Sequence, residues 1–305
     1  MLTLSSLSPA ELRHRMSIDG LRFQTGAFVA CVTSPISHVA DGLERLYGDY
    51  PLRDKHDFVD FYLNLVPVGG LRRWFKPQVQ FDHDGLRPFQ PLPHDQAFSM
   101  FEWALNWCVS GRAHSYLIIH AAVVEKNGRA AILPAPPGSG KSTLCAALVS
   151  RGWRLLSDEL TLIRIQDGQV VPSPRPISLK NGSIELIGRY APGTVFSRPV
   201  ADTAKGTIAH MRPPADSVRR AQETAQPGWI VFPRYVANAA PALIPLPRAR
   251  AFLKIAENAF NYSLLGAAGF KAVGDLVEAT DIFDFSYSAL DDAVAVFEQL
   301  AGLGA

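Results

Sequence analysis

The stretch Ala130-Ala-Ile-Leu-Pro-Ala-Pro-Pro-Gly-Ser-Gly-Lys-Ser-Thr143 decides the fold. A short apolar run enters a turn of prolines and glycines, and a helical pattern through Leu144, Leu148 and Arg151 leaves it, ending at Gly152. A turn of this kind at a helix start exposes successive backbone N–H groups, which cradle phosphate oxygens. Pro137, Gly138, Ser139, Gly140, Lys141, Ser142 and Thr143 are therefore the candidate nucleotide-phosphate residues. Lys141 is long enough to reach the β- and γ-phosphates, and the Ser142 hydroxyl suits Mg²⁺. Against the pattern GxxxxGK[ST] one position departs, because Ala135 stands where the first glycine belongs. A glycine-rich helix start that binds nothing is the alternative reading.

Upstream, Tyr116-Leu-Ile-Ile-His-Ala-Ala-Val-Val124 is an apolar run of strand length, and Lys126-Asn-Gly-Arg129 is a hairpin turn signal. A hairpin, rather than a lone parallel strand, thus delivers the glycine-rich turn. It folds His120 back beside the strand that enters the turn; a satisfied core histidine is the alternative there. Downstream comes Leu155-Leu-Ser-Asp-Glu159, with Asp158 seventeen residues beyond Lys141. The metal-holding acidic strand of a standard P-loop ATPase comes later in the chain. An acid beside a γ-phosphate accepts the proton of an attacking hydroxyl; the alternative is a pair of solvated turn charges.

Farther out the signals thin. Up to about Gly111 the sequence is irregular, with strands expected in Gly26–Val32 and Phe58–Leu65 and a mostly buried helix over Asp95–Val109. Phe98, Phe101, Trp103 and Trp107 on that helix read as core. Arg154–Ile165 and Gln169–Val171 form a second hairpin turned at Asp167-Gly168. The long proline- and glycine-interrupted stretch Pro172–Pro214 is of the kind that carries function; within it Lys205, His210 and Arg212 are candidate clamps for a triphosphate or an acceptor, as is Arg234 after the strand Ile230–Phe232. Ala242–Leu246 and Ile282–Tyr287 read as strands, and Arg250–Asn261, Leu264–Glu278 and a stretch capped by Ser288 and running to Leu300 as helices.

The chain has 305 residues, 48% hydrophobic and 19% charged, enough for one large domain or two modest ones without staples. Thirty Lys and Arg against 28 Asp and Glu leave a net charge of +2, which argues against a charge-driven nucleic-acid or membrane binder. Cys31, Cys108 and Cys145 are far apart and form no CxxC pair, so neither a disulfide framework nor a transition-metal cage is expected. With no apolar run approaching the ~18 residues of a membrane span and no secretory-type leader in residues 1–17, a cytoplasmic location is expected.

His120-Ala121, the hairpin, the glycine-rich turn and Arg151-Gly-Trp-Arg-Leu-Leu-Ser-Asp-Glu159 together resemble the kinase core of bacterial HPr kinase/phosphorylase, and more closely the HPr-kinase-related proteins called HprK-related kinase A. The resemblance is specific over His120–Ile163, plausible from Pro174-Arg-Pro-Ile-Ser-Leu-Lys180 onward, and family-level before residue 110. It implies an α/β fold with a mixed sheet, a phosphoenolpyruvate-carboxykinase-like P-loop core at 112–305, and a small N-terminal α+β domain at 1–111. It also implies an ATP- and Mg²⁺-dependent kinase acting on a hydroxyl, a serine of a peptide or small protein, in a chain that can form homo-oligomers. By the resemblance Asp158 is the acid/base, Lys141 and Ser142 hold phosphates and Mg²⁺, and His120 sets the charge of the acid or the phosphoryl group. Glu185 in Ser183-Ile-Glu-Leu-Ile187 is then the second metal carboxylate, with Glu159 its rival and a solvated charge the alternative. Two departures stand out: Glu159 replaces the family's second aspartate, and the acidic, glycine-rich signature after the core is not recognisable, which bears on phosphorylase activity and on HPr as substrate. A kinase for a small hydroxylated metabolite and a nucleotide-dependent switch without phosphotransfer are the other functional readings.

Overall fold

The first 112 residues build a layer of their own elements: α1 (Pro9–Ile18), β1 (Leu21–Thr25), β2 (Phe28–Thr33), α2 (Ser37–Leu46), β3 (Phe61–Pro67), α3 (Arg72–Phe75), β4 (Gln78–Asp82), β5 (Leu92–Pro93) and α4 (Ala97–Arg112). The structure, a computed structural model, describes residues 2–70, 72–136 and 138–302. The strands pair in the order β1-β2-β3-β4-β5, parallel between β2 and β3 and antiparallel elsewhere. The stretch that reads as irregular is therefore largely a sheet, and the two strands expected within it, at Gly26–Val32 and Phe58–Leu65, fall on β2 and β3. Its strands are short and widely spaced, so their period-2 alternation is diluted by the linking segments. The helix expected at Asp95–Val109 is α4; Phe98 and Phe101 are buried as expected.

After α4 the chain enters β6 (Tyr116–Lys126) and returns along β7 (Arg129–Pro134). Asn127 and Gly128 have φ of 54° and 81°, the two consecutive left-handed residues of a tight hairpin turn whose twist matches its strands. Next come α5 (Lys141–Ser150), β8 (Arg154–Ser157), β9 (Leu160–Arg164) and β10 (Val170–Val171). The single strand expected over Arg154–Ile165 is broken at Asp158-Glu159. Both pieces pair antiparallel with β6, Ser157 facing Val123 and Leu160 facing His120, so the break frees the two acids from the ladder without losing register.

The expected functional loop at Pro172–Pro214 is instead mostly ordered: β11 (Ile177–Lys180), α6 (Gly182–Tyr190), β12 (Val200–Thr203) and β13 (Gly206–Met211), a small antiparallel sheet in the order β11-β13-β12. The remainder is α7 (Ala215–Arg219), β14 (Gln226–Tyr235), β15 (Ala242–Pro245), α8 (Arg248–Asn258), α9 (Tyr262–Leu265), α10 (Ala267–Ala279), β16 (Asp281–Tyr287) and α11 (Leu290–Gly302). The one helix expected over Leu264–Glu278 is split in two at Gly266, whose φ is 56°.

The large sheet runs β10-β9-β6-β7-β14-β16-β15, with β8 beside β6. β7, β14 and β16 are parallel to one another, and β6 and β15 run against them. It is a mixed α/β sheet with both faces covered, which is why β6 is an almost unbroken apolar run. Ala122 and Val124 pack toward α5 and α11, while Leu117, Ile119, Ala121 and Val123 pack toward α8 and α10. The core of the N-terminal layer continues onto the same sheet through Ile118, Leu160, Leu162 and Val171. No helix among the described residues is long and apolar enough to cross a membrane, and the three cysteines are free and buried.

Candidate functional site

The glycine-rich turn lies where β7 ends, at the carboxyl ends of the parallel strands, the usual ligand edge of an open α/β sheet. It is held from outside: the Tyr235 N–H donates to the Ser139 carbonyl at 2.9 Å, and the Tyr287 hydroxyl donates to the Gly140 carbonyl at 3.1 Å. Gly140 has a φ of 94°, and a Cβ there would lie 2.6 Å from the Tyr287 hydroxyl. This position therefore needs glycine twice over, for its backbone and for its neighbour.

Lys141 begins α5 and is buried, its Nζ donating to the backbone carbonyl of Asp158 at 2.7 Å and lying 4.0 Å from Glu159 Oε2. Glu159 Oε2 is also 3.2 Å from His120 Nε2. The hairpin thus brings His120, Lys141 and the Asp158-Glu159 break together across three strands and a helix start.

The two acids differ. Asp158 is 4% exposed; its Oδ2 accepts the Ser178 N–H at 3.1 Å, and its Oδ1 has no hydrogen-bond partner. Burial pushes its carboxyl up to about 6, with Lys141 opposing and the Glu159 charge reinforcing the rise. Burial alone would raise Glu159 too, but the His120 hydrogen bond and the Lys141 and Lys180 charges overcome it and hold that carboxyl well below the usual range. One acid is poised to take up a proton near neutral pH, and its neighbour is kept ionised.

A cleft of about 590 Å³ opens over the turn, and His120, Gly138, Ser139, Gly140, Lys141, Ser142, Thr143 and Glu159 line it. Pro137 lies outside the described residues. Asp158 does not line this cleft. It lines a small inner chamber of about 20 Å³ that shares Glu159 and Ser178 with the cleft and is walled on the far side by Glu102 and Asn106 of α4 and by Arg175. Arg175 is buried, with Nη1 unpartnered and 3.6 Å from Glu102 Oε2. Burial, opposed by the Arg175 charge, pushes the Glu102 carboxyl up to about 7.

Other candidates fall elsewhere. Glu185 is not brought to the cleft: it is exposed on α6, 3.5 Å from Arg189 one turn along. Glu185 does not line the cleft with Ser142, whereas Glu159 does. His210 is buried against Phe98, and burial lowers its imidazole to about 4, so it is a neutral wall of the inner chamber and no cationic clamp. Arg212 pairs with Asp49 at 2.6 Å in a separate groove, and Arg234 is exposed beyond the cleft. Lys205 does line the cleft, its Nζ 5.4 Å from the centre of the Trp103 ring. Trp103 is accordingly a wall of the site rather than core. Lys180 and Asn181, also in the wall, carry no motif of their own; only the run Pro174–Lys180 pointed toward them. Among the described residues, no group of three or more His, Cys, Asp or Glu could by itself hold a metal ion.

Residues 93–180, from just before α4 to the end of β11, match the family model described as SynChlorMet cassette protein ScmC. Among solved structures the chain is similar to the Hpr(Ser) kinase/phosphatase from Coxiella burnetii, with 13% sequence identity over 60% of this chain and 96% of that chain and a TM-score of 0.27. No curated protein matches the sequence.

Proposed function

We propose that this protein is a phosphotransferase of the HprK-related kinase A kind, moving the γ-phosphate of Mg-ATP to a hydroxyl, that of a serine on a peptide or small protein. The observation that carries the reading is Asp158: a buried carboxylate with one oxygen unpartnered, titrating near 6, and tied through its own carbonyl to the lysine of the glycine-rich turn. A general base works best with a pKa close to the operating pH.

The P-loop amides and Lys141 hold the phosphates, and Lys141 exchanges the Asp158 carbonyl for phosphate oxygens. Asp158 Oδ1 takes the proton of the acceptor hydroxyl as its oxygen bonds to the γ-phosphorus, and the bond to the β–γ bridging oxygen breaks to release ADP. The inner chamber has room for one oxygen-sized group, which fits a hydroxyl at the tip of a slender side chain. Mg²⁺ fits beside the turn, where the Ser142 hydroxyl and the ionised Glu159 would hold it; once bound it would offset the phosphate charge. In this reading residues 1–111 are an accessory domain that closes the chamber behind the catalytic unit, 112–305.

Calorimetric titration with Mg-ATP tests the nucleotide half of the reading. The wild-type protein binds, and Lys141→Ala binds more weakly by on the order of tenfold or more, the loss of a charged hydrogen bond. Equal affinity in the two proteins would remove the P-loop assignment.

A further inference from the structure

The small sheet also lines the cleft, and it presents two lysines, Lys205, a candidate clamp from the sequence, and Lys180, which the sequence did not single out. Lys180 ends β11 and Lys205 sits in the turn between β12 and β13, and both line the cleft with Lys141. Among the described residues neither ammonium has a carboxylate within ion-pair distance: the hydrogen bonds of Lys180 are made by its backbone, and Lys205 lies over Trp103. The single carboxylate lining the cleft, Glu159, is taken by His120. Three lysines facing one acid leave the cleft short of negative charge on its far side.

The pair is also built into place. Asn181, next to Lys180, has φ 50° and ψ −131°, a conformation that side chains other than glycine rarely adopt. Its N–H donates to the Thr207 carbonyl at 2.8 Å and its Oδ1 accepts the Thr207 N–H at 3.0 Å. Gly206 makes room for this, since a Cβ there would lie 2.4 Å from Asn181 Oδ1. The Ser183 hydroxyl pins Lys180 from the other side, accepting its N–H at 2.9 Å and donating to its carbonyl at 2.6 Å. A strained residue thus ties the end of β11 to the turn that carries Lys205, and backbone strain of this sort gathers at ligand clamps.

We propose that Lys180 and Lys205 form a second phosphate clamp, opposite the P-loop, that grips the terminal phosphate of a nucleoside triphosphate and leaves a diphosphate untouched. The P-loop and Lys141 hold the shared α- and β-phosphates; the γ-phosphate alone projects toward the small sheet. Two cations carried on a backbone fixed before the ligand arrives need less reorganisation as charge shifts onto the transferring group. Lys180 already feels the crowding: burial first, then the Lys205 charge, holds its ammonium below the usual lysine range, and an incoming phosphate would relieve both.

The clamp rests on the reading of the cleft as a nucleotide site, and calorimetry separates the two. Wild type, Lys180→Gln, Lys180→Arg and Lys205→Gln are titrated with the Mg²⁺ complexes of a non-hydrolysable ATP analogue and of ADP, and with inorganic phosphate. Each Gln variant is expected to weaken the triphosphate analogue by about tenfold, in line with one charged hydrogen bond, with ADP held to within about twofold and Lys180→Arg retaining most of the affinity. Equal losses for both nucleotides, or none, overturn the clamp. Tight phosphate binding alone that the Gln variants abolish would make this a site for the free anion and also overturn it. Wild type that binds neither nucleotide overturns the clamp together with the nucleotide reading. Lys205 is exposed on its turn, so Lys205→Gln decides the matter should Lys180→Gln fail to fold.

Discussion

At the residue scale the site turns on two adjacent acids driven in opposite directions. Asp158 gives up solvent for the Ser178 N–H, with Ser142 and Lys141 beside it only partly offsetting its burial, while Glu159 gains His120 and two lysines. Asp158→Asn keeps the shape and removes the proposed base, so phosphoryl transfer should fall by about 10²–10⁴-fold with Mg-ATP affinity largely spared, as single-turnover rates and calorimetry would show. The same substitution should change stability with a definite sign. The folded carboxyl sits at about 6 against an ordinary 3.8, so the proton it prefers contributes stability that is full below the ordinary value and is lost as pH rises through 6. Asp158→Asn should therefore melt higher than wild type at pH 8, by on the order of a few degrees, and the gap should close by pH 4; a gap independent of pH would contradict the assignment. Lys141, Ser142 and Asp158 stood out in the sequence by their spacing from a turn, and the structure sets Lys141 and Ser142 on one cleft with Asp158 in the chamber beside it. Lys180 and Arg175 were not legible as site residues, because what places them is a strained asparagine and a helix from the other end of the chain. Glu185, singled out by its place after the second hairpin, is exposed on α6 and outside the cleft lining.

At the scale of elements, the β6–β7 hairpin and α5 could be read directly: Asn127-Gly128 dictates the turn, and both buried faces make β6 apolar throughout. The small β11-β13-β12 sheet could not, because its strands are four to six residues long and set among prolines and glycines, so the signal of a loop outweighs that of a strand. The glycine-rich turn itself is braced by the ends of β14 and β16. Gly138 and Gly140 both have left-handed backbones, but only Gly140 has the Tyr287 hydroxyl against it. Gly140→Ala should then abolish nucleotide-induced thermal stabilisation. Gly138→Ala should weaken it by no more than the cost of a strained backbone, about 1–3 kcal/mol. An equal effect of the two substitutions would show that the Tyr287 brace is idle.

Over the whole molecule, a common core joins the N-terminal layer to one end of the large sheet, and the inner chamber lies at that seam. Of the layer's sheet, β2 and β3 were expected while β1, β4 and β5 escaped sequence reading; the long helix α4 did not, since sixteen residues of apolar helix outlast the noise that hides strands of five. Distant elements are also tied by buried charge. Arg154 of β8 pairs with Glu125 of β6, both 4% exposed, and donates to the Arg220 and Glu223 carbonyls at 2.9 Å. Glu125→Ala leaves that guanidinium without its buried counter-charge, with only the exposed Glu223 carboxylate at 4.0 Å remaining, and should destabilise the fold by about 3–5 kcal/mol, read as a lowered midpoint in urea. The most direct test of phosphoryl transfer is incubation of wild type and Asp158→Asn, side by side, with γ-labelled ATP, Mg²⁺ and a lysate of the host. Label carried onto a peptide or small protein by wild type, and reduced at least a hundredfold in Asp158→Asn (the lower end of the ~10²–10⁴-fold range of a general base), is the result expected; equal transfer by the two proteins, or phosphate release alone in both, would contradict it.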